Sequence, residues 1–143
     1  MTVVLGETCT IYNKYAVKDG DRWERTVVEG AFWDGTRGAV MRRTGVSGGD
    51  SAMVLIPNWA RSGDKTYLAP KLWEKAGDKS GCWTVRPGDR IVRGECPLEL
   101  DGSSRGLEDW DDVLTVTAVA FRRFGGEMAH LEIRGKEYLW SLL

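Results

Sequence analysis

The chain has few of the residues on which most catalytic and metal sites depend. Its 143 residues include one histidine, His130, and three cysteines. The cysteines stand far apart, at positions 9, 82 and 96, without a CxxC pair, so their spacing indicates neither a disulfide framework nor a zinc site. His130 falls on the polar side of a strand pattern, without the positioned partner that acid–base catalysis needs. We therefore expect free thiols, no cofactor and no enzyme activity.

Long apolar runs and an excess of one charge are also missing. No stretch approaches the roughly 18 apolar residues of a membrane-spanning helix, and residues 1–6 lack the basic start of a secretory signal. We expect synthesis in the cytoplasm and no membrane partner. Because 20 basic residues face 21 acidic ones, for a net charge of −1, any contact with nucleic acid would have to be local. The length fits a single domain, 1–143.

What the chain does have is alternation of apolar and polar residues, which is typical of strands. The predicted strands are 8–15, 23–33, 51–57, 113–124 and 129–134. A turn at 18–21 joins the first two, with Val27, Ala31 and Trp33 on one face and Val28 and Phe32 on the other. Residues 86–89 suit a tight turn and predict a hairpin across 83–94.

The fold prediction combines these strands with two short helical segments, at 69–77 and 107–111. It is a mainly β domain, a small antiparallel β-barrel or sandwich with one or two short helices and a long glycine-rich loop. The acidic run at 108–112 lacks the glycine and glutamate spacing of a calcium loop. We interpret that run as a solvated helix end and predict no metal site.

A glycine-rich stretch interrupts the strands, and we expect a mobile loop at 41–50. It lacks the GK[ST] sequence of a phosphate-binding loop. Arginines flank and enter this stretch, and guanidinium groups pair with phosphates. In a ring these arginines would be repeated around a channel, whereas in a monomer they are ordinary surface residues. The candidate residues of a DNA-channel loop are Arg37, Arg42, Arg43, Gly48, Gly49 and Asp50.

Seven tryptophans and an apolar C-terminal stretch suggest contact surfaces. Most of the tryptophans are expected in the core, but Trp59, Trp73 and Trp110 have polar neighbours, and stacking on sugars is the rival interpretation for them. Residues 137–143 form a candidate interaction tail, because an apolar terminus is expected to pack on its own sheet or on another subunit. Its candidate interface residues are Tyr138, Leu139, Trp140, Leu142 and Leu143.

Short segments spread over nearly the whole chain resemble, by their order, a family of small proteins. That family is encoded in the head and tail morphogenesis block of siphophages and of prophages of Gram-positive bacteria. The matching segments are 11–15, 25–30 with Trp33, 54–57, 67–70, 83–85 with 88–94, and 112–116 followed by 123–125. No catalytic residue comes with the resemblance.

The resemblance implies a structural virion protein of the head–tail connector, or neck, most similar to a head-completion or stopper protein. Such a protein is a small β-barrel in a homo-oligomeric ring, six- or twelve-fold, that joins the DNA-filled head to the tail and gates the DNA channel. Its implied partners are portal and adaptor proteins, tail completion or tail tube proteins, and the double-stranded DNA that passes through. The alternatives are a tail completion protein and a tryptophan-based carbohydrate-binding or host-recognition module.

Overall fold

Strands make up most of the regular structure in the computed structural model, which describes residues 6–35, 51–122 and 129–137. The strands are β1 (Glu7–Val17), β2 (Gly20–Gly35), β3 (Ser51–Pro57), β4 (Thr66–Tyr67), β5 (Cys82–Trp83), β6 (Arg90–Arg93), β7 (Val113–Arg122) and β8 (His130–Glu137). The helices are α1 (Pro70–Lys75) and two 3₁₀ turns, Lys79–Gly81 and Arg105–Asp109. The prediction of a mainly β chain with short helices is confirmed. Within the described ranges, no helix is both long and apolar enough to cross a bilayer.

Six of the strands form one antiparallel sheet in the order β1–β2–β3–β8–β7–β6. The sheet returns to its start, because β6 pairs with β1 as well as with β7, for example at Ile91 and Ile11. The longest ladder joins β1 and β2 around the predicted turn at 18–21. The two remaining strands, β4 and β5, make a separate parallel pair of two residues each.

The predicted hairpin across 83–94 is wrong, although its turn is present. The Asp89 backbone N–H donates to the Arg86 carbonyl at 3.0 Å, as a tight turn requires. The strands on either side do not pair with each other: β5 pairs with β4, whereas β6 pairs with β1 and β7. Turn residues fix a local reversal but not the partner, and here Trp83 and Val85 are buried in the core inside the sheet.

Two bulges shift the faces of long strands and correct the predicted alternation. In β2 the register moves past Gly30, which has a φ of 102°, so Val28 and Ala31 both point into the core and Phe32 is exposed. In β7 the pairing skips Thr117, so the inward face passes from Val116 to Val119. A two-residue period cannot show such a shift, because one extra residue reverses every side chain beyond it.

Among the described residues, most of the buried apolar side chains form two clusters on opposite faces of the sheet. The larger cluster fills the space inside the closed sheet and includes Ile11, Val54, Ile91 and Ile133, with Trp83 among them. The smaller one covers the outside of β1, β2 and β6, where Leu107 packs with Tyr12 and Trp23. That outer cluster is held by the segment 94–112, whose Leu98 and Gly102 carbonyls accept from Tyr12 Oη and Trp23 Nε1.

Candidate functional site

The residues that the sequence proposed for a DNA-channel loop and for an interaction tail lie outside the described residues. The first set is the DNA-channel loop of Arg37, Arg42, Arg43, Gly48, Gly49 and Asp50. The second is the tail of Tyr138, Leu139, Trp140, Leu142 and Leu143. The structure nevertheless fixes the points at which the described chain leads into each of them.

Those points lie at one end of the sheet, here called the loop end. The chain leaves β2 at Gly35, re-enters at Ser51 and leaves β8 at Glu137. Ser51 pairs with Lys136, and Gly35 pairs with Ala52, so all of these positions are neighbours across the β2–β3–β8 ladders. The opposite end, called the cap end, carries the turn at 18–19, the turn at 86–89 and helix α1.

The cap end holds a pocket of about 420 Å³ whose walls are polar and aromatic, here called the basic pocket. It is lined by Lys14, Tyr15, Ala16, Asp21, Trp73, Glu74, Lys79 and Arg86. Three cations therefore line it against two carboxylates. The Arg86 Nη1 lies 2.9 Å from the Glu74 carboxylate, and Lys14 Nζ lies 3.4 Å from that of Asp21. The lining keeps one positive charge in excess.

Cation–π contacts hold the side chains at the floor of this pocket together. Trp73 is fully buried, and its ring lies 4.9 Å from Lys79 Nζ and 4.6 Å from the Arg86 guanidinium carbon. Lys79 is also 5.5 Å from the ring centre of Tyr15, which meets Trp73 edge to face. The sequence-based interpretation of Trp73 as a sugar-stacking residue is therefore wrong, because its ring is covered by these neighbours.

Local sequence explains why the cations converge there. Pro70 begins α1, and the Lys79 ammonium donates to the Ala76 carbonyl just past the helix end at 2.8 Å, where a cation also faces the negative end of the helix. Arg86 is held by its own backbone N–H, which donates to the Asp89 carboxylate at 2.9 Å. Residue types at 69–77 and 86–89 predicted the helix and the turn, but not that they meet.

A second pocket, of about 410 Å³, is mainly apolar and is here called the aromatic pocket. Its aromatic walls are Tyr67, Trp83 and Phe121, with Tyr67 5.0 Å from Trp83 and 6.4 Å from Phe121 between ring centres. Burial raises the pKa of the Tyr67 hydroxyl. Sequence reasoning missed this pocket because strict alternation along β7 placed Phe121 on the face opposite to Val116.

Lys65 also lines the aromatic pocket but is engaged on the sheet side. Its ammonium donates to Thr26 Oγ1 at 3.0 Å and to the Arg25 carbonyl at 2.5 Å. Burial lowers the pKa of this ammonium. Among the described residues, the pocket thus combines a largely apolar lining with His130 and with one lysine that is already hydrogen-bonded, an arrangement suited to an uncharged apolar group.

Two tryptophans are exposed among the described residues. Trp59, 43% exposed, meets the equally exposed Phe32 edge to face at 5.8 Å. Trp110, 39% exposed, lies within the acidic run Glu108–Asp112. Trp59 and Trp110 therefore stay candidates for surface recognition, and each is on a different part of the chain.

The acidic run and His130 were interpreted from the sequence as solvated groups. Glu108, Asp109 and Asp111 are exposed. In the described part of the chain, no group of three or more His, Cys, Asp or Glu side chains could hold a metal ion. His130 Nε2 lies 3.9 Å from the Glu132 carboxylate, at the start of β8. The three cysteines are free and buried, as predicted.

Comparison with known proteins places almost the whole chain in one family model. Residues 4–136 match the model described as a family of unknown function, DUF6751. No curated protein and no solved structure matches the chain.

Proposed function

Because the chain belongs to DUF6751, a family whose description assigns no activity, we propose its function from the residues and their placement. We infer that it is a structural protein of a phage neck, in which copies form a ring at the head–tail connector around the DNA channel. In this proposal the closed six-stranded sheet is the small β-barrel of the ring subunit. The order of sequence segments that resembles neck proteins of siphophages supports the same function.

One observation carries the proposal: the segments 36–50 and 138–143 both join the described chain at the loop end. Gly35, Ser51 and Glu137 lie at neighbouring positions there. A ring subunit needs one region for the channel and one for its neighbour, and a rigid sheet can present both from one end. The arginines at 37, 42 and 43 would then be repeated around the axis and add to a positive field in the channel.

The test is electron cryomicroscopy of the neck of particles assembled with this chain, with the chain carrying a small fused tag at its N-terminus. We expect ring-shaped density at the connector that fits the closed sheet, with tag density repeated around it. Density at the tail-facing side of the neck would instead favour a tail completion protein. Absence of tag density from the neck would overturn the proposal.

A second candidate function is glycan binding through exposed tryptophan. The observation that favours it is the Trp59–Phe32 pair, because two exposed rings at 5.8 Å make an aromatic surface on which a sugar can stack. Binding of the isolated protein to cell-wall glycans, lost in Trp59→Ala and retained in Leu72→Ala, would support it. Equal binding by both variants, or none by the unmodified protein, would exclude Trp59 as a glycan platform.

A further inference from the structure

The charges of the described chain are separated along the sheet. The segment 95–112 carries seven carboxylates against one base, Arg105. At the cap end, the elements that line the basic pocket and the turns next to them carry four more exposed cations, Lys18, Arg22, Lys71 and Lys75, and the carboxylates of Asp19 and Asp78. A net charge near zero for the whole chain therefore conceals one strongly acidic segment and one basic end.

The acidic run and the basic pocket lie at opposite ends of the same strands. Glu108–Asp112 leads directly into β7, and the Asp112 carbonyl accepts from the Arg93 backbone N–H, which is level with Cys9 on β1. Lys14 lies five residues further along β1, roughly 17 Å away at the rise of a strand. The Asp112 end of the acidic run therefore does not reach Lys14 of the same molecule.

The two surfaces are also complementary in charge and chemistry. The run offers the exposed carboxylates of Glu108, Asp109 and Asp111 around the exposed ring of Trp110. The pocket offers the cations Lys14, Lys79 and Arg86 and a volume of about 420 Å³, enough to admit a bulky side chain. Aromatic rings attract ammonium and guanidinium groups, and carboxylates form ion pairs with the same groups. Both the indole ring and the carboxylates of the run therefore have counterparts in the pocket.

We propose that the basic pocket of one copy binds the acidic run 108–112, with Trp110 at its centre, of a second copy of this chain. The contact is heterologous, head to tail, and such contacts close into rings when the rotation between copies permits. This inference rests on the proposed neck function and deepens it, because it adds a second contact between ring subunits beside the one proposed for the tail 138–143. Duplex DNA is the competing occupant of the pocket.

The test is a pair of complementary charge reversals, measured by sedimentation velocity over a concentration series at low and high salt. Lys14→Glu/Lys79→Glu makes the pocket acidic, and Asp109→Lys/Asp111→Lys makes the run basic. We expect the self-association of each variant alone to be weaker than that of the unmodified chain by a factor of about ten at least. An equimolar mixture should regain association, because every reversed surface then finds an opposite charge.

The control reverses charge elsewhere by the same amount: Glu29→Lys/Asp64→Lys alters two exposed carboxylates outside both surfaces and outside the positions that lead into 36–50 and 138–143, and should leave association unchanged. Because Lys79 bonds to the end of α1, Lys14→Glu alone serves as a second pocket variant that keeps those contacts. Carbodiimide coupling in a mixture of ¹⁴N and ¹⁵N protein should link Asp109 or Asp111 of one copy to Lys14 or Lys79 of another.

The outcomes separate this interface from the neck function. Strong self-association that neither reversal changes overturns the interface, while a ring in the neck of particles would keep the proposed function. A chain that stays monomeric at every concentration and salt also overturns the interface. Binding of a labelled DNA duplex that the pocket reversal abolishes, without self-association, assigns the pocket to DNA instead. Failure of the neck function alone would show as intact association with no ring in particles.

Discussion

Asn13 and Asp89 lie side by side beneath the cap end, with the Asn13 Nδ2 donating to Asp89 Oδ2 at 2.9 Å. Both side chains are buried. The Asp89 carboxylate also accepts from the backbone N–H groups of Lys14 and Arg86, each at 2.9 Å. Burial raises the pKa of this carboxyl, and the bonds from Lys14, Asn13 and Arg86 act against that rise. One carboxylate thus ties β1 to the turn before β6, and it places two of the three cations of the basic pocket.

Asp89→Asn should therefore destabilise the fold and loosen the basic pocket. The amide retains one oxygen acceptor, while its NH₂ group meets a backbone donor that the carboxylate had bonded. Leaving one buried donor unpaired costs about 1–3 kcal/mol. Urea denaturation should show this loss in the free energy of unfolding. The exposed substitution Asp101→Asn should change that value by less than about 0.5 kcal/mol, and an equal loss in both would contradict the network's role.

Glu7 and Arg93 give a pH dependence at the other end of the β1–β6 seam. The Arg93 guanidinium donates to both Glu7 oxygens, at 2.7 and 2.9 Å, and holds the pKa of that carboxyl below 4.5. A lowered folded-state pKa means that the pair's stabilisation is present above the unfolded value near 4.5. It is lost as pH falls through the folded-state pKa. Both side chains are about two-fifths exposed, so the contribution stays within roughly 0–1 kcal/mol.

Arg93→Gln should accordingly raise the Glu7 pKa toward 4.5, measured by NMR titration of the carboxyl carbon. The loss of stability relative to the unmodified chain should be seen at neutral pH and should disappear under acidic conditions. Arg22→Gln, which removes an exposed charge elsewhere, should leave the Glu7 titration unchanged. A Glu7 pKa that stays low in Arg93→Gln would assign its depression to another group.

Which features of the fold could be predicted from the sequence depends on how far apart along the chain the interacting residues are. Alternation and turn residues correctly gave β3 at Ser51–Pro57 and the turn between β1 and β2, because those signals are local. The bulges at Gly30 and Thr117 were not predicted, since each depends on how the strand pairs with its neighbour. The glycine within a predicted strand was the one available signal for the first.

The two candidate pockets were not predicted either, because they too depend on contacts between residues that are far apart in the sequence. Lys14, Lys79 and Arg86 are separated by up to 72 positions in the chain; the pairing of β6 with β1 brings Arg86 beside Lys14, and the packing of Trp73 against Tyr15 brings Lys79 to the same pocket. Trp73 shows the converse error: polar neighbours in sequence suggested exposure, whereas Lys79 and Arg86 cover its ring. Long charged side chains can bury an aromatic group with their own stems, which composition alone does not reveal.

Gly135 on β8 is a position where close backbone approach excludes a side chain. A Cβ placed there would stand 2.8 Å from the Thr115 carbonyl oxygen and 3.1 Å from the Leu114 Cβ. Gly135→Ala must push β7 and β8 apart, at a cost of about 1–3 kcal/mol. Gly77→Ala meets no atom within 4 Å and should be neutral or slightly stabilising. Thermal unfolding of the two variants tests the contrast, and equal melting temperatures would contradict the tight β7–β8 approach.

Cys9 should be inert toward thiol reagents in the folded chain. Its side chain is 1% exposed inside the closed sheet, and burial raises the pKa of the thiol to about 12. The thiolate is the reactive form, so at pH 8 both access and ionisation protect the residue. A Cys82→Ser/Cys96→Ser variant leaves Cys9 as its one thiol. In that variant, Ellman's reagent should modify Cys9 only as fast as the sheet opens. Addition of urea beyond the unfolding midpoint should release one thiol per chain. Immediate reaction of Cys9 in buffer, with the circular dichroism spectrum intact, would contradict its burial in the closed sheet.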